Sequence, residues 1–302
     1  MEENDNIYIL VNYSIDETGR LEEIRKTYPN LVITRITTGI YTIQVPSGAE
    51  GEFDILERNL RYIESPVVYG LNAMQALEVS NISQLHDYPY GALRGSGVLI
   101  GFVDTGIDYT NTYFQNANTT SRIISIWDQT IAGNPPEPFG YGSVYSQEQI
   151  NTALRSEDPY SVVPSRDTNG HGTFLAGLAA GNDQTDEASY TGAAPDADIM
   201  MVKLRPASQK IRDTFVIREG EPAYQSNDVL TGIQYLINMA NELNRPIVIC
   251  LGLGDNYGAH NGTAILERFL EPVGYTNGVI IVVAAGNETS SGHHYKGKFI
   301  RS

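Results

Sequence analysis

The sequence predicts an α/β protein built on a doubly wound, mostly parallel β-sheet, preceded by a small separate α+β unit. Two observations carry this prediction. Helical patterns with one apolar face, at 228–243 and 263–273, alternate with apolar runs in the second part of the chain. These runs are apolar at consecutive positions, which is typical of strands buried on both faces, and they cover 98–103, 197–204, 247–251 and 279–285.

Residues 1–73 have the pattern of the small first unit. Alternating or continuous apolar stretches predict its strands, and apolar residues at helical spacing predict its helices. The expected elements are a strand over 7–13, a helix over 21–28, strands over 31–36 and 40–45 around Thr38-Gly39, a helix over 53–63 and a last strand over 65–71. This β-α-β-β-α-β order suggests a split α/β sandwich.

Residues 74–96 are mixed and polar and are interpreted as a linker. The second unit then extends over 97–302. Within it, residues 128–166 are rich in Pro, Gly, Ser and Tyr and are expected to be a long irregular insertion, and residues 205–227 a second loop.

Composition restricts the class of protein. The 302 residues carry a net charge of -16, which argues against nucleic acid and anionic membrane surfaces as partners. One cysteine, Cys250, leaves no basis for an intrachain disulfide. The acidic start has no signal-peptide pattern, and no apolar run approaches the length of a membrane span, so we expect an intracellular protein.

Polar residues follow the predicted strands at the positions where such sheets bind ligands, beyond the carboxyl ends of the strands. Asp104 follows the first run and Asn287 the last, and Gly252-Leu253-Gly254 follow the third. His171 opens the helix that precedes the second run. All four segments are therefore expected at one edge of one sheet.

This set of residues suits a serine hydrolase. Such an enzyme needs a histidine to accept the proton of a serine, a carboxylate to orient that histidine, and a donor for the oxyanion. His171, Asp104 and Asn287 supply these three roles. Each residue alone has an ordinary structural explanation, as a turn residue or a helix cap, and their joint placement favours a site.

The motifs around these residues resemble those of subtilisin-like serine proteases (peptidase family S8). VDTGID around Asp104, NGHGT around His171 and AAGNE around Asn287 are similar to the aspartate, histidine and oxyanion motifs, in the family's chain order. The resemblance implies a subtilisin-type sheet, polypeptide substrates and an acyl-enzyme mechanism. ICLGLG resembles the segment lining the family's specificity pocket, which implies that Gly252, Leu253 and Gly254 lie beside substrate.

Residues 1–73 are similar in size and pattern to the family's propeptide, which assists folding and inhibits the enzyme. The resemblance implies a cleavage site near residues 71–77.

Further segments are similar to the clostridial germination-type subtilases, which process a spore cortex-lytic enzyme. They are LRGSGVLIGFVDTGIDY, YQSNDVLTGIQYL, NYGAHNGTAILERF and GNETSSGHHYKGKF. This resemblance implies a cytoplasmic or spore-associated location.

The nucleophilic serine is the point at which the sequence departs from the family. There it follows the oxyanion asparagine in a Gly-Thr-Ser motif, but the serines after Asn287 are Ser290, Ser291 and Ser302, none in that motif. The near match Gly262-Thr263-Ala264 has alanine instead and precedes Asn287. We therefore expect the N-terminal part of a subtilase, incomplete at the C-terminus and inactive alone. The alternative is a truncated, non-catalytic pseudoprotease or binding module.

Two other classes of site were weighed. Gly252, Gly254 and Gly258 miss the G-x-G-x-x-G spacing of dinucleotide-binding enzymes by one residue. His293-His294, with His260, lack the spacing of a zinc site, so no structural zinc and no other cofactor is expected. Calcium is compatible with the family resemblance, but no dense acidic loop calls for it.

Overall fold

The computed structural model describes residues 7–12, 18–46, 56, 60, 63–64, 68–71, 82–86, 91–182, 191–258 and 261–286. The strands in this part of the chain are β1 Ile7–Asn12, β2 Val32–Thr37, β3 Ile40–Val45, β4 Ile63–Glu64, β5 Val68–Leu71, β6 Leu99–Asp104, β7 Ile123–Asp128, β8 Ser143–Ser146, β9 Asp198–Lys203, β10 Tyr224–Gln225, β11 Ile247–Leu251, β12 Leu253–Gly254 and β13 Val279–Val283. The helices are α1 Thr18–Thr27, α2 Ser83–His86, α3 Gln147–Leu154, α4 Pro159–Val162, α5 His171–Ala180, α6 Gln209–Thr214, α7 Ser226–Glu242 and α8 Ile265–Gly274.

The main body is a six-stranded sheet in the order β13-β11-β6-β9-β7-β8. Every neighbouring pair is parallel except β7 and β8 at one edge. The four consecutive apolar runs of the sequence are the strands β6, β9, β11 and β13. The predicted α/β class and mostly parallel sheet are therefore confirmed.

Helices cover the two faces of this sheet, which explains why its strands do not alternate between apolar and polar residues. Leu99 and Val103 of β6 pack with the apolar side of α7 in one cluster. Phe102, between them, packs with Leu175 and Ala176 of α5 in the other cluster. Burying both faces in this way is the main stabilising contribution of the β6 side chains.

Two strands of the sheet were not predicted. β7 precedes the expected insertion at 128–166, and β8 lies inside it, as do α3 and α4. The sequence hid β7 because polar Ser125 interrupts its apolar residues. In the fold the Ser125 hydroxyl is buried and lies 2.6 Å from the hydroxyl of Tyr235 on α7, so that polar group is satisfied.

The N-terminal sheet is antiparallel in the order β2-β3-β1-β4. The predicted hairpin turns at Thr38-Gly39, where Gly39 has a φ of 82° that glycine adopts without strain. The predicted helix over 53–63 lies largely outside the described residues, but Leu56 and Leu60 within it are buried and joined by a helical backbone hydrogen bond.

The predicted last strand of this unit, 65–71, was wrong in its placement. Its described part, β5, does not join the N-terminal sheet, where β4 pairs with β1 instead. β5 lies between β10 and β12 and is antiparallel to both, with Tyr69 opposite Tyr224 and Leu71 opposite Leu253. An apolar run predicts that a segment is extended but does not specify its pairing partner.

Candidate active site

Asp104 is the last residue of β6 and lies at the carboxyl edge of the main sheet. Its side chain is almost fully buried, with 1% exposed. The backbone N–H of Thr105 donates to Asp104 Oδ1 over 2.7 Å, and Oδ2 has no hydrogen-bond partner among the described residues. A buried carboxylate needs such donors or a cationic partner to offset its lost hydration.

His171 is the first residue of α5, and its imidazole is the side-chain partner of Asp104. Its Nδ1 lies 2.8 Å from Asp104 Oδ1, and the imidazole is 12% exposed. Gly170, which precedes the helix, has a φ of 91°, a left-handed conformation that favours glycine. A buried carboxylate at Nδ1 fixes the tautomer with the proton on Nδ1 and stabilises the imidazolium.

The contact between these two residues depends on the close approach of α5 to the loop after β6. A Cβ on Gly172 would lie 2.2 Å from the carbonyl oxygen of Gly106 and 3.1 Å from Asp104 Oδ1. No side chain fits there. The glycine after the histidine is therefore required for packing.

The negative potential at this edge of the sheet affects two further groups. Burial, with smaller contributions from Asp104 and Asp167, raises the pKa of the Tyr224 hydroxyl to about 12. Burial, together with Asp104, raises the pKa of the Cys250 thiol to about 11. A raised pKa disfavours the thiolate, so Cys250 is expected to stay a protonated thiol at neutral pH.

Gly252, Leu253 and Gly254 extend β11 outward from the same edge. Leu253 and Gly254 form β12 and pair with Leu71 and Gly70 of β5. The strand β10 pairs with the other side of β5. In the described chain β5 is thus the middle strand of a three-stranded antiparallel sheet, and the gap that it occupies between β10 and β12 is here termed the cleft.

Asn287 lies outside the described residues. The segment leading towards it leaves β13 at the same edge, where the N–H of Ala284 donates to the carbonyl of Leu251 over 3.1 Å. The structure therefore brings Asp104 and His171 together and places the Gly252–Gly254 segment at the same edge. The role of Asn287 stays a prediction.

Sequence reasoning missed Asp167 and Thr105, which hydrogen-bond around the pair, and the cleft strand β10. One signal was available for Asp167, because an aspartate a few residues before a helix start is typical of a helix cap. No comparable signal marks β10, which has only the residues Tyr224 and Gln225.

The other classes of site gain no support. Gly252 precedes β12 and Gly254 is part of it, and β12 pairs with β5. Because α8 begins only at Ile265, these two glycines do not lead directly into a helix, as a dinucleotide site requires. In the described part of the chain, no group of three acidic, His or Cys side chains could hold a metal ion. His260, His293 and His294 lie outside it. Among the helices described, none is long and apolar enough to span a membrane.

Solved structures of serine proteases are similar to this fold. CspB protease of Clostridium perfringens is 35% identical, with a TM-score of 0.59, and the match covers 72% of this chain and 42% of that one. The epidermin leader peptide processing serine protease of Staphylococcus aureus has a TM-score of 0.51 at 16% identity over 94% of this chain and 61% of its own, a likeness in fold alone.

Sequence comparisons point to the same family. Subtilisin DY of Bacillus licheniformis is 27% identical over 199 residues, which are 66% of this chain and 50% of that protein. Serine protease AprX of Bacillus subtilis is 27% identical over 201 residues, 65% of this chain and 34% of its own length. The chain thus spans half or less of these relatives. The model of the subtilase family matches residues 95–298, more than half of the chain. The chain therefore belongs to the subtilase family, peptidase family S8.

Proposed function

We propose that this chain supplies Asp104, His171 and Asn287 to the active site of a serine endopeptidase that works through an acyl-enzyme. The observation that carries the proposal is the 2.8 Å contact between His171 Nδ1 and buried Asp104 Oδ1 at the carboxyl edge of the sheet. An orienting carboxylate with its histidine is two thirds of a catalytic triad.

The mechanism assigns one task to each residue. His171 accepts the proton of the serine hydroxyl as that oxygen attacks the peptide carbonyl, and later donates it to the leaving amine. Asp104 holds the Nδ1–H tautomer and stabilises the imidazolium that forms. Asn287 donates to the oxyanion of the tetrahedral intermediate. These 302 residues contain no Gly-Thr-Ser segment that would provide the nucleophilic serine. We therefore propose that they are inactive alone.

The proposed substrate is a polypeptide bound in extended form between β10 and β12. The pairing of β5 with both strands supports this, because main-chain hydrogen bonds to a strand edge bind peptides independently of sequence. On this proposal residues 1–73 act as a propeptide, with β5 occupying the cleft as an inhibitor. The expected cleavage site near residues 71–77 begins at the end of β5 and otherwise lies outside the described residues.

The similarity to the clostridial CspB protease supports a proposal for the biological setting. We propose a role in spore germination and a cytoplasmic or spore-associated location.

The alternative is a non-catalytic pseudoprotease or binding module. One observation favours it: β5 fills the cleft, as a bound peptide would fill a binding groove. The Asp104–His171 contact favours the protease, because a serine protease requires it.

Substitution of Asn287 tests the proposal. In a peptide-hydrolysing protein that contains this chain, Asn287→Ala should lower kcat by about a hundred- to a thousand-fold with KM nearly unchanged, because the lost donor acts on the transition state. The matched control is Asn261→Ala, which removes an exposed loop amide. A loss below tenfold would reject the oxyanion role, and an absence of hydrolysis in the parent protein would favour the binding module.

A further inference from the structure

We propose that Asp167 is a positioning residue that holds Asp104 and His171 at hydrogen-bonding distance by acting through Thr105 and Thr173. This inference rests on the proposed function for its catalytic meaning, but its geometry and its test do not require proteolysis.

The Asp167 carboxylate accepts five hydrogen bonds. Oδ1 accepts from the Thr105 hydroxyl over 2.9 Å and from the N–H groups of Asn169 and Gly170 over 3.1 and 2.8 Å. Oδ2 accepts from the N–H and the hydroxyl of Thr173 over 2.9 and 2.6 Å. The side chain thus contacts both the start of α5 and the loop after β6.

The carboxylate fixes the direction of the Thr105 hydroxyl. A hydroxyl has one proton, and an ionised carboxylate can only accept, so the Thr105 proton must point to Asp167. The hydroxyl oxygen is then free to accept from the N–H of Gly172 over 2.9 Å. Thr105 also donates its own N–H to Asp104 Oδ1 over 2.7 Å. One residue therefore links Asp104 to the peptide that follows His171.

Thr173 forms the same link in the opposite direction. Its hydroxyl donates to Asp167 and accepts from the backbone N–H of Asp108, over 2.9 Å. Thr105 on the β6 loop thus receives an N–H from α5, and Thr173 on α5 receives an N–H from the β6 loop. Asp167 orients both hydroxyls, so both bridges between the two elements depend on its carboxylate.

This arrangement exceeds what a helix cap requires. Asp158 begins α4 as an ordinary cap and accepts the N–H of Tyr160 over 3.1 Å. Asp167 in addition reaches Thr105 on a different element. Burial alone would raise the pKa of Asp167, but hydrogen bonds from Thr173, Gly170 and Thr105 outweigh it and leave the pKa below its ordinary value. The carboxylate is therefore ionised at neutral pH, the state in which it can only accept.

The test measures the Nδ1 proton of His171 by NMR in the full 302-residue chain labelled with ¹⁵N-histidine, assigned by its loss in His171→Ala. The variants are Asp167→Asn, whose amide would present a donor to Thr105, and Thr105→Val, which removes the bridging hydroxyl and leaves the contacts of Asp167 with α5. The matched control is Asp158→Asn, which alters a helix cap whose carboxylate does not hydrogen-bond to Thr105 or Thr173.

We expect both Asp167→Asn and Thr105→Val to shift the Nδ1–H resonance upfield and to accelerate its exchange with water by about tenfold or more, the equivalent of one weakened charge-assisted hydrogen bond. Asp158→Asn should change neither. In the complete protein, Asp167→Asn should lower kcat by about a hundredfold at constant KM, as a small misplacement of a catalytic group does.

An unchanged resonance and exchange rate in Thr105→Val would overturn the proposal, and so would an unchanged signal in a folded Asp167→Asn. If Asp167→Asn does not fold, Thr105→Val alone decides. A shifted resonance in a protein whose parent does not hydrolyse peptides would keep this inference and reject the proposed function.

Discussion

At the scale of residues, the site is a buried carboxylate and a histidine whose positions come from different parts of the chain. Asp104 ends a strand and His171 begins a helix, so neither side chain has to be held by a long flexible loop. Their 2.8 Å contact places a negative charge where an imidazolium would form. Positioning on rigid elements avoids the cost of reorganising the site during reaction.

Asp167 gives stability a pH dependence that can be measured. Its pKa is lower in the folded state than in the unfolded chain, so its contribution is fully present above the unfolded value and is lost as pH falls through the folded value. Asp167→Asn should therefore lower the free energy of unfolding by about 1 kcal/mol at neutral pH, the size of a helix-cap substitution. The difference should shrink at acid pH, because the contribution of Asp167 is lost as the pH falls below the ordinary aspartate pKa and through the lowered pKa of the folded state. Urea unfolding at both pH values checks this, and an equal difference at both would contradict it.

The proposed catalytic residues Asp104 and His171 could be found from the sequence, whereas the residues that hold them in place could not. Asp104 and His171 lie next to apolar runs whose pattern predicts burial, and the family motifs surround both residues. The contacts of Asp167 with Thr105 join residues far apart in the chain. Such pairing depends on how α5 packs on the sheet, which no local pattern encodes.

At the scale of elements, the site depends on how closely α5 approaches the loop after β6. Glycine at 172 permits this approach, since a Cβ there would overlap the carbonyl oxygen of Gly106. Ala176 and Ala180 continue the close packing on the buried side of the same helix. The close packing of α5 against the loop after β6 and the sheet thus explains the run of small residues that begins after His171.

The helix offers a matched pair of glycines for a test. Gly172→Ala should lower the free energy of unfolding by about 1–3 kcal/mol, because overpacking forces α5 away from the loop. Gly177→Ala meets no atom within 4 Å and should raise it by up to about 1 kcal/mol through helix propensity. Denaturant unfolding measures both. Similar effects of the two substitutions would show that the close approach is not tight.

The order of helices and strands could be predicted where the apolar residues had a clear pattern. The pairing of the strands could not be predicted. The helices α7 and α8 and the buried strands followed from periodicity. β5 was expected in the N-terminal sheet, but it occupies the cleft between β10 and β12. Its partners are too short, at two residues each, to leave a pattern in the sequence.

At the scale of the whole molecule, the main sheet is covered unevenly. β13 is one of its two edge strands, and Ile280, Val282 and Val283 are 60%, 50% and 62% exposed. Val279 and Ile281, on the alternate positions, pack with α7 and α8. An exposed edge strand with an apolar face is a site for association between chains.

This surface should control self-association of the 302-residue chain. Ile280→Thr with Val282→Thr should lower the associated fraction in sedimentation velocity with a change in unfolding free energy below about 0.5 kcal/mol, as for surface substitutions. The matched control is Val32→Thr. Val32 is likewise exposed on an edge strand, at 52% on β2, but its neighbours Leu31 and Ile33 are buried, so it is not part of an exposed apolar face. Equal association in all variants would exclude the β13 face as the cause.

We propose His171 as the general base of a serine endopeptidase, with Asp104 as its orienting carboxylate. The measurement that tests this is kcat for peptide hydrolysis by a protein that contains this chain and by its His171→Ala variant. A loss of about a million-fold, as removal of the corresponding histidine produces in subtilisin, is the predicted result. A loss below tenfold, in a parent protein that hydrolyses the peptide, would contradict the claim.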